Sequence, residues 1–463
     1  MRDFKGNKVI VIGAARQGLA LSRYLATHHA QVVLTDSNTE EALHQAREEL
    51  QAYPIQWHTG GHPMELLDGA SLVCLSGGVS PSIPFVQEAI RRGIPLSNDA
   101  QLFLEDCPAT VIGITGSAGK TTTTALVGLI AQKYFEMKNS AQKAWVGGNI
   151  GNSLIDQVDE IHEDDLVVLE LSSFQLELMT RSPQIAAILN ITPNHLDRHA
   201  NMETYTAAKA NIMLHQHPGD VTILNRDDPG SWNLAERLEA DLISFGFNQP
   251  GLKMNGTYVD KGSIWLQIGR DRIKMLPVEW IELPGKHNIA NVLAACAIAA
   301  AASIALPAIQ SAVEEFTGVP HRLEFVRSLN GVDWYNDSIA TAPERTIAAI
   351  ESFDSPLVLL LGGRDKNLPW DKLAALVRQR VKRVILFGEA AELIATAIGP
   401  RKAGQRLESV VKCHTLDEAI RMAASQAEAG DIVLLSPGGT SFDAFEDFEE
   451  RGEFFKRRVN ELI

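Results

Sequence analysis

Short runs of apolar, largely β-branched residues alternate with stretches of helical periodicity along almost the whole chain. Each run ends in glycine or polar residues, as in KVIVIG (8–13) and QVVLTD (31–36). Continuous apolar runs of this kind are typical of buried parallel strands that are joined by helices. The pattern therefore predicts an α/β protein. Because the alternation restarts twice, it also predicts three domains, at residues 1–105, 106–318 and 319–463.

Composition and charge narrow the class of protein. With 45% hydrophobic and 21% charged residues among 463, the chain is typical of a soluble globular protein. Its formal charge of −15 argues against nucleic acid or an anionic membrane as a partner. The four cysteines form no CxxC pair, which argues against a zinc cluster and a disulfide framework.

Two further stretches bear on where the protein works. The start, MRDFKGNKVIVIG, leads directly into a strand without the pattern of a signal sequence. The alanine-rich run 289–306 is interrupted by serine, which favours a packed helix over a membrane span. We therefore expect a cytoplasmic protein.

The first three strands end in candidate ligand-binding residues. In open parallel sheets, ligands bind beyond the carboxyl ends of the strands, where Gly13, Asp36 and Ser76 are expected. Residues 13–18, GAARQG, resemble a dinucleotide fingerprint, but Ala15 replaces the glycine that lets a pyrophosphate approach the backbone. Three interpretations remain open: NAD(P), a different nucleotide, or close packing of helix on strand. The residues favour a different nucleotide.

Residues 111–124, VIGITGSAGKTTTT, have the three parts of a phosphate-binding loop: a buried strand, a glycine turn and the start of a helix. Unpaired backbone N–H groups and the helix dipole attract anions there, Lys120 can reach phosphate oxygens, and Thr121 can ligate Mg²⁺. The general pattern asks for glycine where this chain has Ile114, so the loop is a variant. An incidental glycine turn is the alternative, but nucleotide binding is favoured. The predicted loop residues are Gly116, Ser117, Ala118, Gly119, Lys120, Thr121 and Thr122.

Three more candidates follow in the central segment. Glu170 comes after the apolar strand LVVL, where a carboxylate could hold Mg²⁺ beside transferred phosphate; the alternative is an ion-paired glutamate at a strand end. His195, in NITPNHLDRH (190–199), could serve a metal or an acidic substrate, although a lone histidine is more often structural. Lys209 lies among alanines on a predicted helix, and the residues alone favour a solvated lysine.

The last segment places further polar residues at or beyond strand ends. They indicate a substrate pocket with a lysine that pairs with a carboxylate, although Lys366 and Ser441 could each be surface loop residues. The candidates are Asp337, Thr341, Lys366, Ser441 and Phe448.

Taken together, these motifs resemble those of the Mur ligases over essentially the whole chain. The motifs are GITGSAGKTTTT, GGNIGN, LELSSFQLE, NITPNHLDRH, PGKHNIANVLAA, PHRLE, NDSIATAPE, GGRDK and LSPGGTSFDAFEDFEERGEFF. The resemblance implies a Rossmann-like UDP-binding domain, a central P-loop ATPase-like domain and a Rossmann-like C-terminal domain that binds an amino acid. It implies a monomeric enzyme that uses ATP and two Mg²⁺ ions to form an amide through an acyl phosphate, in peptidoglycan precursor synthesis. The closing stretch favours the addition of D-glutamate to UDP-N-acetylmuramoyl-L-alanine.

The resemblance also implies roles for individual residues, motif by motif. Beyond the phosphate loop, the residues expected to bind ATP are Asn288, Asn291, Arg322 and Asp337. Those expected to bind the UDP substrate are Ala14, Ala15, Asp36, Ser76 and Asn149. Those expected to bind D-glutamate are Thr341, Lys366, Ser441 and Phe448. The catalytic set is Lys120, Glu170, His195 and Lys209, and the metal ligands are Thr121, Glu170, His195 and, after carbamylation, Lys209.

The chain also departs from the family pattern. Ile339 stands where some members have lysine, so Lys366 and Ser441 must carry more of the glutamate binding, or another residue substitutes. SGG (76–78) replaces the usual SPG, and Asn38 stands where an arginine is often found, so the uracil pocket can differ in detail. Two alternatives remain: a related ligase that adds another amino acid or adds glutamate to folate, and a P-loop nucleotide-binding protein without catalysis.

Overall fold

The computed structural model describes residues 4–149, 153–193, 199, 201–283, 285–366, 368–400 and 404–463. The chain forms two compact units. Unit 1 comprises Met1–Ile281 and His287–Phe316, and unit 2 comprises Glu282–Lys286 and Thr317–Ile463.

Unit 1 begins with a five-stranded parallel sheet in the order β3-β2-β1-β4-β5. Its strands are β1 (Lys8–Ile12), β2 (Gln31–Thr35), β3 (Ile55–His58), β4 (Ala70–Leu75) and β5 (Leu96–Ser97). Its helices are α1 (Arg16–Thr27), α2 (His44–Glu49), α3 (Pro84–Arg91) and α4 (Asp99–Asp106). This order matches five strands of the doubly wound dinucleotide-binding sheet, so the predicted Rossmann-like domain is confirmed.

A second sheet of nine strands forms the rest of unit 1, in the order β14-β13-β12-β11-β10-β9-β6-β8-β7. Its strands are β6 (Thr110–Thr115), β7 (Ala144–Gly148), β8 (Leu166–Glu170), β9 (Ile185–Ile188), β10 (Val221–Asn225), β11 (Asp241–Phe245), β12 (Asn255–Asp260), β13 (Ser263–Ile268) and β14 (Asp271–Pro277). Its helices are α5 (Lys120–Met137), α6 (Ser173–Leu176), α7 (Met202–Ala210), α8 (Pro229–Trp232), α9 (Lys286–Ala301) and α10 (Leu306–Glu315). The strands from β6 to β12 pair in parallel, whereas β13 is antiparallel to both of its neighbours.

Unit 2 contains a six-stranded sheet in the order β15-β16-β20-β17-β18-β19, in which only the pair β15–β16 is antiparallel. Its strands are β15 (Glu324–Leu329), β16 (Val332–Asn336), β17 (Leu357–Gly362), β18 (Val381–Phe387), β19 (Ser409–Lys412) and β20 (Ile432–Gly438). Its helices are α11 (Pro343–Glu351), α12 (Asp371–Arg380), α13 (Ala391–Ile398), α14 (Leu416–Gln426) and α15 (Phe448–Asn460).

Several central strands are buried along their whole length, for example β8, β17 and β20. Helices cover both faces of a parallel sheet, so residues on both faces of such a strand are buried and its sequence is apolar throughout. The alanine-rich run forms α9, a packed helix as predicted, with ten buried residues. Within the described ranges, no helix combines the length and the apolar character needed to cross a membrane.

Candidate active site

The phosphate loop joins the buried strand β6 to the 18-residue helix α5. Gly119 caps this helix with a positive φ of 81°, which favours glycine. A Cβ atom at Gly119 would lie 2.4 Å from Oδ1 of Asn291, so the close approach of α9 also requires glycine there. The loop therefore presents its backbone at the amino end of a long helix, an arrangement that attracts phosphate.

Asn190, which follows β9, anchors this loop from the side. Its Oδ1 accepts a hydrogen bond from the Ala118 N–H at 2.8 Å, and its Nδ2 donates to the Ala118 carbonyl at 3.1 Å. The Ser117 N–H donates to the Asn190 carbonyl at 3.0 Å. In the sequence, Asn190 is only the first residue of the polar motif NITPNHLDRH. Its position directly beyond a strand that adjoins β6 was the signal for this anchoring role.

Two lysines donate to the same loop carbonyl. Nζ of Lys120 and Nζ of Lys209 each lie 3.0 Å from the Gly116 oxygen, and Lys209 also lies 3.3 Å from Oγ1 of Thr115. Lys209 is on a helix, as predicted, but is only 1% exposed, so the interpretation as a solvated lysine is wrong. Burial, followed by repulsion from Lys120, lowers the pKa of Lys209 well below its usual value, while Glu170 opposes the shift.

Glu170 is the last residue of β8, and its carboxylate is buried between two of the other predicted residues. Its Oε2 accepts from the Thr121 hydroxyl at 2.9 Å, and its Oε1 accepts from Nδ2 of Asn149, also at 2.9 Å. These two partners are a hydroxyl and an amide, not the cation that the alternative of an ion-paired glutamate requires. A carboxylate and a hydroxyl beside a phosphate loop are hard oxygen ligands that fit Mg²⁺, which usually takes few protein ligands and completes its shell with water and phosphate oxygens. His195 lies outside the described residues.

In the first sheet, Asp36 stabilises a loop instead of presenting an open carboxylate. Its two oxygens accept from the backbone N–H groups of Ala14 at 2.7 Å and Asn38 at 2.8 Å. A Cβ atom at Gly18 would lie 1.8 Å from the Gly13 carbonyl oxygen, so this glycine allows helix α1 to pack on the turn after β1. Of the three interpretations left open, close packing thus has direct support at Gly18.

The remaining UDP candidates lie around the same edge of this sheet. Ala15 caps α1, and the Ser76 N–H donates to the Ile12 carbonyl at 3.0 Å, which holds the residue after β4 beside β1. Arg16 donates to the Asn149 carbonyl at 3.1 Å. Asn149 therefore lies at the junction between the first sheet and Glu170 in the second.

Asn288 and Asn291 lie on the first turns of α9. Both are buried, and Nδ2 of Asn291 donates to Oδ1 of Asn288 at 3.1 Å. Because Asn291 also adjoins Gly119, the structure brings both of these candidates for ATP binding to the phosphate loop.

In unit 2, Asp337 is buried at the end of β16. It accepts from the Ser436 hydroxyl at 2.8 Å and from the Leu323 N–H at 3.3 Å. Burial raises the pKa of Asp337 to about 7, opposed by these hydrogen bonds and by the positive charges of Arg322 and Arg345.

Three of the four candidates for amino-acid binding lie on loops of unit 2, and the fourth begins a helix. Nζ of Lys366 is 3.5 Å from the Thr341 hydroxyl, and Ser441 is buried in the loop after β20. Phe448 begins α15, and its carbonyl accepts from the Ser338 hydroxyl at 2.8 Å.

Arg451, which is not among the predicted site residues, connects two of these loops through its side chain. The fully buried guanidinium donates to the Ser338 hydroxyl at 2.9 Å, to the Ser338 carbonyl at 2.8 Å and to the Gly439 carbonyl at 3.2 Å. Burial lowers its pKa to about 10. Nothing in the charged sequence EERG distinguishes this arginine from a solvated one.

Comparison with known proteins identifies matching families along the chain. The fold and the site define an α/β protein with a phosphate-binding loop in its central sheet. Three family models match in order: Mur ligase MurD-like, N-terminal domain (7–98), Mur ligase middle domain (114–299) and Mur ligase, glutamate ligase domain (321–439). The chain belongs to the Mur ligase family.

Individual relatives agree with this membership. A UDP-N-acetylmuramoylalanine–D-glutamate ligase of Symbiobacterium thermophilum is 41% identical over 98% of both chains. A protein of the same name from Thermoanaerobacter sp. is 38% identical over 99% of both chains.

Solved structures show the same fold at lower identity. UDP-N-acetylmuramate-alanine ligase MurC from Thermotoga maritima has a TM-score of 0.54 at 18% identity and covers 98% of both chains. MurF from Acinetobacter baumannii has a TM-score of 0.55 at 17% identity, over 98% of this chain and 94% of its own.

Proposed function

We propose that this chain is an ATP-dependent ligase that adds D-glutamate to UDP-N-acetylmuramoyl-L-alanine in peptidoglycan precursor synthesis. The observation that carries the proposal is the 41% identity, over 98% of both chains, to a relative named for this reaction. The phosphate loop, with the buried Glu170 bonded to Thr121, supports the nucleotide chemistry. The proposed substrates are a UDP-sugar peptide, ATP and a free amino acid, which are metabolites of the cytoplasm, so we place the enzyme there. We also propose that it acts as a monomer.

The chemistry explains why a nucleotide is needed. A carboxylate is a poor electrophile, because amide formation would have to expel oxide. A carboxylate oxygen of the alanyl group therefore attacks the γ-phosphorus of ATP, ADP leaves, and an acyl phosphate forms. The amine of D-glutamate attacks the acyl carbon, phosphate leaves with that oxygen, and the nitrogen loses a proton as the amide forms. Catalysis then consists mainly of positioning and charge neutralisation.

The residues around Gly116 suit the first step. The N–H groups of the loop and the Lys120 ammonium would neutralise charge on the transferred phosphoryl oxygens. Thr121 and Glu170 would hold one Mg²⁺, and His195 and Lys209 a second. Bound there, Mg²⁺ would neutralise the phosphate charges. Among the described residues no three histidine, cysteine or acidic side chains gather into a metal cluster, which is compatible with Mg²⁺ bound by few protein groups.

Lys209 is proposed to be carbamylated. Only a neutral amine reacts with CO₂, and burial favours the neutral form of this lysine. The product is an anion, which can bind Mg²⁺ where an ammonium cannot.

The other roles are proposed from the motifs. Asn288 and Asn291 contact adenine, Arg322 the ATP phosphates and Asp337 the ribose. The UDP substrate is held by Ala14, Ala15, Asp36, Ser76 and Asn149, and D-glutamate by Thr341, Lys366, Ser441 and Phe448.

An amino-acid panel tests the proposal. ADP release is measured with UDP-N-acetylmuramoyl-L-alanine and a set of D- and L-amino acids. We expect stimulation by D-glutamate above all others, with the amide product found by mass spectrometry. Stimulation by another amino acid instead would identify a related ligase. Nucleotide binding without any amide product would identify a non-catalytic P-loop protein.

A further inference from the structure

Three cationic side chains from different elements converge on the loop of residues 337–342. Arg345, in the first turn of α11, donates from Nη1 to the Ile339 carbonyl at 3.1 Å. Lys366, from the loop after β17, lies 3.5 Å from the Thr341 hydroxyl, and Arg451, from α15, donates to Ser338. The loop is therefore contacted by cations at Ser338, Ile339 and Thr341.

The charges of this cluster repel one another. The pKa of Lys366 is lowered by burial, then by the positive charges of Arg345 and Arg451. Asp337, which begins the loop, is itself buried, with a pKa raised to about 7, and Asp443 adds negative charge near Arg451, so acids offset this charge only in part. A site in which positive charges lie together in this way is stabilised by an anion with more than one negative group.

The amino acid of the proposed reaction has two carboxylates. A lysine and an arginine are the side chains that bind such groups, and the planar guanidinium can do so through two parallel N–H···O bonds. Ile339 offers no charge to either carboxylate. The Arg345 guanidinium, however, is hydrogen-bonded to the Ile339 carbonyl. It therefore contacts the same loop that carries Thr341, one of the proposed ligands of D-glutamate.

We propose that Arg345 is the second carboxylate-binding cation of the amino-acid site, acting with Lys366 and supplying the charge that Ile339 lacks. This inference rests on the proposed function, since it assumes D-glutamate as the substrate. Arg451 is a positioning residue in this arrangement, because its donors are bound to the backbone and hydroxyl of the loop.

Steady-state kinetics of Arg345→Ala test the proposal. We expect the KM for D-glutamate to rise about ten- to a hundredfold, the range for losing one hydrogen bond to a charged group. The KM values for ATP and for UDP-N-acetylmuramoyl-L-alanine are expected to stay within about twofold, because neither is proposed to contact Arg345. Arg345→Lys is expected to give an intermediate rise, since it keeps the charge but not the planar fork.

A second variant separates ligand binding from support of the loop. The double variant combines Arg345→Ala with Ile339→Lys. It restores a cation to the site from position 339 but does not restore the hydrogen bond to the carbonyl of that residue. We expect the KM for D-glutamate to return to within about fivefold of the wild type. The matched control is Arg364→Ala, an exposed arginine nearby in sequence that is paired with Glu389 at 2.8 and 2.9 Å, for which no change is expected.

The outcomes are distinguishable. An unchanged KM for D-glutamate in Arg345→Ala, or a raised KM that Ile339→Lys fails to lower, would overturn the role of Arg345 and leave the proposed function standing. A wild-type enzyme that does not use D-glutamate would overturn both.

Discussion

Lys120 and Lys209 both donate to the Gly116 carbonyl at 3.0 Å, yet they are suited to different chemistry. Lys120 starts a helix beside the phosphate loop and is expected to act as a cation. Lys209 is buried against the ring of Tyr205 and repelled by Lys120, so its neutral form is favoured. Burial separates the two roles, and the alanines around Lys209 in the sequence gave no sign of it.

Stability measured against pH tests the state of Lys209. The pKa of Lys209 in the folded protein lies below the unfolded value of 10.5. Between these two pKa values the unfolded chain binds one more proton than the folded chain, so the free energy of unfolding increases with pH there. In CO₂-free buffer, Lys209→Met should therefore have a higher Tm than the wild type at pH 7, and the difference should shrink as the pH approaches 10.5. Thermal unfolding between pH 7 and 10 measures it.

The exposed Lys372 provides the control for this comparison. Lys372→Met should show no pH-dependent difference from the wild type. A Tm difference for Lys209→Met that is constant over the whole pH range would contradict the depressed pKa of Lys209.

Among the elements, the strands with continuous apolar sequences were predictable, whereas the more polar and exposed strands were not. Runs such as LVVL and PLVLLLGG are apolar throughout, because strands in the middle of a parallel sheet are buried on both faces. The strands β12–β14 were not predicted, since polar residues interrupt them and β14 is largely exposed. The hairpin turns at Lys261 and Gly262, both with positive φ, and this glycine was the signal that the sequence offered.

The phosphate loop is an element whose shape depends on a residue outside it. Asn190 makes two side-chain hydrogen bonds to Ala118, and alanine would remove both. We expect Asn190→Ala to weaken ATP binding about tenfold, or roughly 1.4 kcal/mol, because the loop must then be ordered on binding. Isothermal titration calorimetry measures this, with the exposed Asn233→Ala as the control. Equal affinity in the two variants would show that the loop is ordered without Asn190.

For the whole molecule, sequence predicted the α/β domains and placed many candidate site residues at strand ends, but it indicated few of the residues that support them. Motif residues such as Glu170 stand at strand ends, where the order of the strands alone brings them to one edge of a sheet. Supporting residues such as Arg451 and Arg345 act through hydrogen bonds to distant loops. Those contacts depend on tertiary packing, which periodicity and motif spacing do not specify.

The proposed reaction brings together a nucleotide, an acid and an amine. The defining step of the proposed reaction is the transfer of the γ-phosphoryl group of ATP to the carboxylate of the muramoyl substrate.

Isotope transfer tests that step directly. UDP-N-acetylmuramoyl-L-alanine labelled with ¹⁸O in both carboxylate oxygens is converted with ATP and D-glutamate, and the phosphate released is analysed by ³¹P NMR. One labelled oxygen is predicted in each phosphate and one in the new amide. Amide product accompanied by unlabelled phosphate would contradict an acyl-phosphate intermediate.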